Sequence, residues 1–405
     1  MTAPWLALAV TTAIQSLVSM AVLTLPVMAP AVAQALGTSA TYTGLYVALV
    51  YVGAIAASLA AGNAVARFGA IRVSQGGLVL CAAGLALSAL PALPAIAVGA
   101  VLIGLGYGPI TPASSHLLVR TTPARRMSVV FSIKQTGVPL GGVLAGAIVP
   151  GVMLWVGWQA ALLAVAAANL VCAALAQPLR ADLDADRDPG RRLALGNLAG
   201  PLRLVLSYPA LRMLAACSFA FSITQLSFTA YLVTYLDATL AYGLVTAGLA
   251  LSFAQFGGVG GRVFWGYVSD RWLGARWMLA ILALLMTAAA LATALLRPGL
   301  PLALVLAVLV VFGASAIGWN GIYLAEVARR APAGQAGMAT GGTLAVTFFG
   351  VVLGPPLFGA LSGLFGTYRA GFLALAVITG VCAIVLACGR RLLPSQAPAG
   401  PGDAR

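Results

Sequence analysis

The sequence predicts an all-α membrane protein, with twelve transmembrane helices arranged as two pseudo-symmetric six-helix bundles. Hydrophobic residues make up 61% of the 405 residues and charged residues only 7%, and the mean hydropathy is +1.03. A single soluble core cannot bury that much apolar surface. Apolar stretches long enough to cross a bilayer recur along the chain, and none alternates apolar and polar residues as the strands of a membrane β-barrel do.

Each predicted span is close to, or longer than, the ~20 residues that a helix needs to cross a bilayer. The predicted spans cover residues 5–28, 42–65, 73–90, 94–119, 128–150, 155–177, 209–236, 242–269, 277–296, 300–327, 337–364 and 369–386. Twelve such spans predict an all-α membrane protein.

Basic residues orient the predicted helices, because short cytoplasmic loops of membrane proteins carry an excess of arginine and lysine. Only Arg297 and Arg369 fall in odd-numbered connections. The even-numbered connections and the tail contain Arg67, Arg72, Arg120, Arg125, Arg126, Arg180, Arg187, Arg191, Arg192, Arg203, Arg212, Arg271, Arg276, Arg329, Arg330, Arg390, Arg391 and Arg405. Both termini are therefore predicted to be cytoplasmic, in a multi-pass protein of a bacterial inner membrane. The net charge of +14 indicates topology and contact with anionic membrane lipid, with no nucleic-acid partner.

The only long polar stretch, RADLDADRDPGRRLALGNLAGP, begins at Arg180. Its alternating aspartates and arginines are typical of a solvated linker. The sequence thus predicts an N-terminal bundle over residues 1–179, a cytoplasmic linker over 180–207, a C-terminal bundle over 208–391 and a cytoplasmic tail over 392–405.

The two predicted bundles repeat short glycine-containing motifs. GNAVARFGA, from Gly62, follows the second span, and GYVSDRWLGA, from Gly266, follows the eighth. GVPLG in the fifth span, from Gly137, matches GVVLG in the eleventh, from Gly350. Parallel repeats of this kind place a substrate site between the two halves, near the middle of the membrane.

These motifs resemble the loop signature and the glycine- and proline-rich fifth helix of the major facilitator superfamily, over essentially the whole chain. The resemblance implies two bundles that rock around a central cavity, with gating by the loop residues Gly62, Arg67, Gly266, Asp270 and Arg271. Ala66 stands where the first loop would carry its acidic residue, so only Asp270 can serve as the acid of a conformational latch. The alternative at Asp270 and Arg271 is a plain solvated turn.

Two basic residues lie inside predicted spans with no acidic residue in the same stretch, Lys134 in the fifth and Arg262 in the eighth. A buried cation is costly in hydrocarbon, and membrane proteins tolerate one where it lines a pathway or meets a ligand of opposite charge. The alternative is snorkelling, in which the stem lies in lipid and the charge reaches the headgroups. The glycines around Arg262, in FGGVGGRV, favour contact with protein over lipid.

Arg262 also carries a second resemblance. It lies one helical turn before Gly266, where it is similar to the eighth-span arginine that binds anions in monocarboxylate transporters, oxalate/formate exchangers and nitrate/nitrite porters. A guanidinium suits a carboxylate in two-point contact, and Lys134 would act as a point charge. The second-span arginine of nitrate porters is missing, so carboxylates rank above nitrate, and the resemblance implies a small organic anion, a carboxylate, as the partner.

Polar and aromatic residues at helical spacing supply further candidate binding residues. The candidates are Gln15 in the first span, Tyr107 in the fourth, Gln225 and Tyr231 in the seventh, and Trp319 and Asn320 in the tenth. Gln15 lies on one face with Thr11 and Ser19, and Tyr107 lies near Thr111. Their amides and phenols can hydrogen-bond a substrate, and the aromatic faces can enclose it. The alternative for each is hydrogen bonding and packing between helices.

The eight acidic residues all map to loops, the linker, the tail or helix ends, so no mid-membrane carboxylate is predicted to carry a proton. Anion exchange, or transport with the proton on the substrate, fits better. No Walker loop, nucleophile elbow or metal-ligand cluster occurs, so we expect no enzyme, no cofactor and no metal. We also expect a monomer. The alternative function is a proton-coupled exporter of drugs or neutral metabolites with the same fold. Against it, the fourth span lacks an intramembrane arginine like the one in the proton-coupling motif of many drug exporters.

Overall fold

The computed structural model describes residues 4–122, 127–190, 199–332 and 336–388. Within these ranges the chain forms α-helices, short 3-10 turns and one π-helical turn, and no β-strand. Several predicted features lie outside the described residues. They are the tail over 392–405, residues 191–198 of the linker, and Arg125, Arg126, Arg390 and Arg391.

Most helices of the described residues are long, as the apolar stretches predict. In chain order they are α1 (Pro4–Val27), α2 (Ala29–Ala35), α3 (Thr43–Phe68), α4 (Ala70–Ser88), α5 (Leu93–Tyr107), α6 (Ile110–Thr121), α7 (Met127–Gln135), α8 (Gly137–Leu175), α9 (Arg180–Leu183), α10 (Ala199–Ser207), α11 (Pro209–Ala238), α12 (Leu244–Val268), α13 (Gly274–Leu295), α14 (Leu302–Gly318), α15 (Asn320–Arg330), α16 (Ala336–Leu364) and α17 (Tyr368–Cys388).

Ten segments of the described residues are long and apolar enough to cross a membrane. They are Trp5–Val27, Ala40–Ser58, Ala70–Ser88, Leu93–Leu118, Ile133–Leu183, Pro209–Ala238, Leu244–Leu295, Leu302–Arg330, Ala339–Leu364 and Tyr368–Cys388. Two of them, with 51 and 52 residues, are much longer than the ~20 residues of one crossing. Each contains a glycine with positive φ, Gly157 (84°) in the first and Gly274 (72°) in the second.

The chain groups into two compact units. The first draws on Met1–Gly196 and Ala230–Ser252, and the second on Asn197–Thr229 and Phe253–Arg405. Parts of α11 and α12 therefore belong to the first unit. The two bundles predicted from the sequence were divided between the sixth and seventh spans, whereas these units are defined by residue contacts. The predicted bundle boundaries stay a prediction.

Glycines set the helix packing within each unit. In the first unit α3 and α5 approach so closely that a Cβ on Gly104 would lie 1.8 Å from the Val50 oxygen. In the second unit α12 and α14 approach similarly, and a Cβ on Gly313 would lie 1.9 Å from the Ala254 oxygen. Only glycine permits such contact between helix backbones. The repeat seen in the sequence is thus also a repeat of helix packing.

The fourth and tenth predicted spans are each divided into two helices. Between α5 and α6 lie Gly108 and Pro109, and between α14 and α15 lies Trp319. Because Pro112 has no N–H to donate to the Gly108 carbonyl, the Ser58 hydroxyl donates to that carbonyl instead, at 3.0 Å. These junctions place Thr111 and Asn320 at the starts of α6 and α15.

The predicted linker is partly buried. Leu183 is 1% exposed and Asp184 2% exposed, at the end of α9. The prediction of a solvated linker is therefore wrong for these residues, because helix ends of the first unit bind them.

Candidate functional site

Lys134, the only lysine of the chain, is buried inside the first unit with 1% of its surface exposed. It lies in the last turn of α7, and its Nζ donates to the Thr111 hydroxyl at 3.3 Å. That hydroxyl donates in turn to Oε1 of Gln15 on α1, at 3.2 Å. Thr111 itself is exposed. The hydrogen-bonded group formed by Gln15, Thr111 and Lys134, called here the Lys134 group, therefore reaches the surface of its unit at Thr111.

The first helix holds Gln15 firmly in place. Gln15 is fully buried, and its Nε2 donates to the Ser19 hydroxyl at 3.4 Å. A Cβ on Gly137 would lie 2.9 Å from the Gln15 Cβ, so α8 begins directly against α1. Thr11 is also buried, and its hydroxyl donates to the Ala7 carbonyl at 2.8 Å. The polar face predicted for the first span is therefore a buried face.

Tyr107 lies one helical turn before Thr111, at the end of α5. Its ring meets the ring of Tyr51 on α3 nearly edge-on, with centroids 5.9 Å apart and an interplanar angle of 65°. Tyr107 is half-buried. An aromatic pair thus lies beside the junction that carries Thr111.

A second polar group lies in the second unit, around Gln225 of α11. Its Oε1 accepts hydrogen bonds from Nε1 of Trp319, at 3.1 Å, and from Nδ2 of Asn320, at 3.4 Å. Trp319 is 1% exposed, and its ring packs edge-on against Phe221 and Tyr323, with centroids 5.4 and 5.3 Å away. Residues that the sequence placed in the seventh and tenth spans therefore contact one another.

Arg262 of α12 is half-buried in the same unit. Its Nε donates to the carbonyl oxygen of Ile317, in the last turn of α14, at 3.2 Å. Trp265 donates its Nε1 to the Ala314 carbonyl at 2.9 Å, so two successive turns of α12 bind α14. Carbonyls in the last turn of a helix carry partial negative charge. Arg262 thus has a polar protein partner.

Tyr231 is engaged at the start of α3. It lies in the part of α11 that belongs to the first unit, and it is fully buried. Its hydroxyl donates to the Thr41 carbonyl at 2.5 Å and accepts from the Gly44 N–H at 2.7 Å. A hydroxyl used in this way fixes the first turn of α3, and nothing in these contacts supports substrate binding by Tyr231.

The predicted gating residues lie at two loops. In the first, Arg67 lies over the Phe68 ring at 5.4 Å, and a side chain at Gly62 would meet open space. In the second, a side chain at Gly266 would also meet open space, and Asp270 and Arg271 are exposed in the π-helical turn Ser269–Leu273. None of the ion pairs among the described residues involves Asp270. The latch role of Asp270 stays a prediction.

The acidic residue nearest to a span interior is bound by arginines. Glu326 is 4% exposed, and Arg329 and Arg330 donate to its carboxylate at 2.9 and 2.8 Å. Groups of His, Cys, Asp and Glu that could hold a metal are absent from the part of the chain that the structure describes. The five cysteines are free thiols.

Two features of this arrangement were not predicted from the sequence. Thr111 was noted beside Tyr107 but not proposed as a binding residue, although a spacing of four residues in one predicted span indicates a shared face. The burial of Leu183 and Asp184 was missed. Leu183 is the one large aliphatic residue between Arg180 and Gly190, and that was the available signal.

Known proteins share this fold. Residues 8–344 match the family model of the Major Facilitator Superfamily, while no curated protein sequence matches the chain. The structure is similar to a bacterial homologue of the human lysosomal transporter Spinster in an inward-facing, occupied conformation, with a TM-score of 0.73, 16% identity, and coverage of 97% of this chain and 98% of that one.

It is also similar to a POT family transporter in complex with 5-aminolevulinic acid. The TM-score is 0.76 and the identity 14%, with coverage of 95% of this chain and 96% of that one. At such identities the likeness shows the fold alone.

Proposed function

The chain belongs to the Major Facilitator Superfamily, and on that premise we propose that it moves a small organic anion, a carboxylate, across a membrane by alternating access. By family and fold it is an integral, multi-pass membrane transporter and not an enzyme. The substrate class is inferred from the chain's own polar residues.

The proposal includes twelve crossings with both termini in the cytoplasm of a bacterial cell. The segments of 51 and 52 residues each supply two crossings, divided near Gly157 and Gly274. The other eight segments supply one each. The bias of arginines toward even-numbered connections supports the orientation.

The burial of Lys134 is the observation that carries the anion proposal. A lysine that is 1% exposed among apolar helices loses its hydration, and this loss disfavours its charge. The Thr111 hydroxyl is one partner of the Lys134 ammonium group. We propose that a transported carboxylate is another, because a full negative charge in contact with a buried ammonium group stabilises it.

The geometry of the Lys134 group suits such a ligand. An ammonium has three N–H donors that point in different directions, so it can hold both Thr111 and a carboxylate. Thr111 is exposed, which gives a ligand access to the group. Gln15 accepts a hydrogen bond from the Thr111 hydroxyl. The hydroxyl oxygen is thereby left to accept from Lys134.

In the second unit, the proposed anion-binding residues are Gln225, Trp319, Asn320 and Arg262. A guanidinium has five N–H donors and a two-point carboxylate contact uses two of them. Arg262 can therefore keep its bond to Ile317 while binding an anion. Gly62, Arg67, Gly266, Asp270 and Arg271 are proposed to act in gating.

Exchange of one anion for another, or transport of the protonated acid, is the proposed mode of coupling. Glu326 is the acidic residue buried within a candidate span, and two arginines hold it. Its carboxylate is therefore occupied by two ion pairs. We propose a monomer that needs no cofactor.

The test uses purified protein in liposomes loaded with unlabelled acid. Uptake of labelled formate, lactate, oxalate and malonate is measured beside their neutral amides. We expect at least one carboxylate to be taken up and its amide neither to be taken up nor to compete. Preferred uptake of a neutral lipophilic compound, driven by a proton gradient, would replace this proposal with the exporter alternative.

A second measurement reads the site directly. Because Lys134 is the only lysine, reductive methylation modifies that side chain and the N-terminal amine alone. The transported carboxylate should slow methylation of Lys134 and leave the N-terminal amine, the internal control, unchanged. Equal methylation with and without substrate would contradict binding at Lys134.

A further inference from the structure

The segment that follows α8 is bound to the ends of several helices of the first unit. Asp184 accepts two backbone hydrogen bonds, from Ile71 N–H to Oδ1 at 2.7 Å and from Arg72 N–H to Oδ2 at 3.0 Å. Its side chain is 1% exposed. Ile71 and Arg72 lie in the first turn of α4, whose N–H groups have no partner within the helix.

A carboxylate in this position acts as a helix cap. Caps normally come from the residue just before the helix, but here that residue is Gly69, which has no side chain. Gly69 has a φ of +96°, and a Cβ on it would lie 2.2 Å from Asp184 Cγ. The glycine therefore leaves the space that the distant carboxylate fills. The negative charge also lies at the positive end of α4.

The same segment binds the end of α3. The Asp188 N–H donates to the Ala66 carbonyl at 2.7 Å, one of the last carbonyls of α3 and therefore one without a partner in its own helix. Ala66 is the position at which the first signature loop lacks an acidic residue. Residues 184 and 188 thus satisfy the backbone on both sides of that loop.

Helix α6 is bound through side chains. Asp186 pairs with Nε2 of His116 at 2.7 Å and with Arg120, and Arg120 also donates to the Leu183 carbonyl. Leu183 is 1% exposed and belongs to an apolar cluster with Ala7, Ile71 and Leu117. Polar and apolar contacts therefore hold the segment to α3, α4 and α6 together.

We propose that residues 180–188 form a strap that belongs to the first unit and fixes the ends of α3, α4 and α6 as one body. Asp184 is its positioning residue. It supplies the first signature loop with a carboxylate from outside the loop, in place of the acid that Ala66 does not provide. The strap also fixes α6, the helix that carries Thr111, but its role does not depend on the identity of the substrate.

Amide hydrogen exchange on the full-length purified protein tests the proposal. Asp184→Ala removes the cap, and Asp182→Ala is the matched control, because Asp182 is an exposed aspartate of the same segment. We expect exchange in residues 69–75 and 180–188 to rise at least tenfold in the Asp184 variant and to be unchanged in the Asp182 variant. Equal exchange in wild type and the Asp184 variant, or an equal rise in both variants, would overturn the proposal.

A second variant keeps the test informative if Asp184→Ala does not fold. Arg120→Ala removes the contacts to Asp186 and Leu183 while the cap on α4 stays. Exchange should rise in 180–188 more than in 69–75. If exchange in 180–188 does not change, the segment is not held as a strap.

Discussion

The two basic residues inside apolar spans share a sequence pattern and differ in their surroundings. Lys134, in the first unit, is 1% exposed and donates to the hydroxyl of Thr111. Arg262, in the second unit, is half-buried and donates to the Ile317 carbonyl in the last turn of α14. Partial negative charge at that helix end favours a cation. Arg262 thus contacts a helix-end carbonyl, whereas Lys134 contacts a side-chain hydroxyl.

The difference changes the ranking of the two residues. In the sequence Arg262 is the stronger candidate, because of its resemblance and its neighbouring glycines. The structure gives those glycines another reason, since a Cβ on Gly257 would lie 2.6 Å from the Val310 oxygen and one on Gly261 would lie 2.4 Å from the Ala314 oxygen. Packing of α12 against α14 explains Gly257 and Gly261 without a ligand. Its deeper burial makes Lys134 the first candidate for binding an anion.

The largest effect is expected at Lys134. Lys134→Ala should lower carboxylate uptake, measured as kcat/KM in liposomes, by about 30-fold or more, because losing one partner of a buried charge contact costs about 2 to 5 kcal/mol. Lys134→Arg keeps the charge and should retain part of the uptake. Arg297→Ala, at an exposed arginine, is the control. A similar loss in the control would break the comparison.

The comparison extends to the two signature loops, which carry Ala66 in the first and Asp270 in the second. If Asp270 is a latch, Asp270→Asn should lower turnover about tenfold and leave substrate affinity within about twofold, because it changes the balance between two states and not the site. Turnover and the dissociation constant are measured separately. An equal change in both would make Asp270 a binding residue.

Arg262→Ala tests the residue that ranks second as a candidate for binding the anion. We expect KM to rise about fivefold, equivalent to about 1 kcal/mol, because Arg262 is half-buried and already bonded to a carbonyl. Arg262→Lys should lie between alanine and wild type, since it keeps the charge without the planar donor set. A loss as large as that of Lys134→Ala would restore Arg262 to the first rank.

The smallest effect is expected at Thr111, in the Lys134 group. Thr111→Val keeps the shape of the side chain and removes the hydroxyl between Gln15 and Lys134, so KM should rise about threefold. Thr24→Val is the matched control, because the buried Thr24 hydroxyl donates only within its own helix, to Met20, at 2.7 Å. If both variants behave alike, Thr111 does not position Lys134.

The sequence by itself determined the helices and the membrane class. Predicted span 5–28 corresponds to α1 (Pro4–Val27), 209–236 to α11 (Pro209–Ala238) and 369–386 to α17 (Tyr368–Cys388). Each depends on hydropathy along one stretch of chain, and in hydrocarbon a helix satisfies its own backbone. The repeat and the loop signature likewise identify the superfamily from local residues.

The tertiary structure alone decided how the polar residues are used. Gln15 meets Thr111 from 96 positions away, and Asp184 caps α4 from 113 positions away. Hydropathy and helical spacing describe one helix at a time, whereas these bonds depend on which helices pack together and at what distance. Burial of Lys134 and Asp184, and the engagement of Tyr231, follow from that packing, because a polar group inside an apolar unit takes whichever partner the neighbouring helices bring within reach.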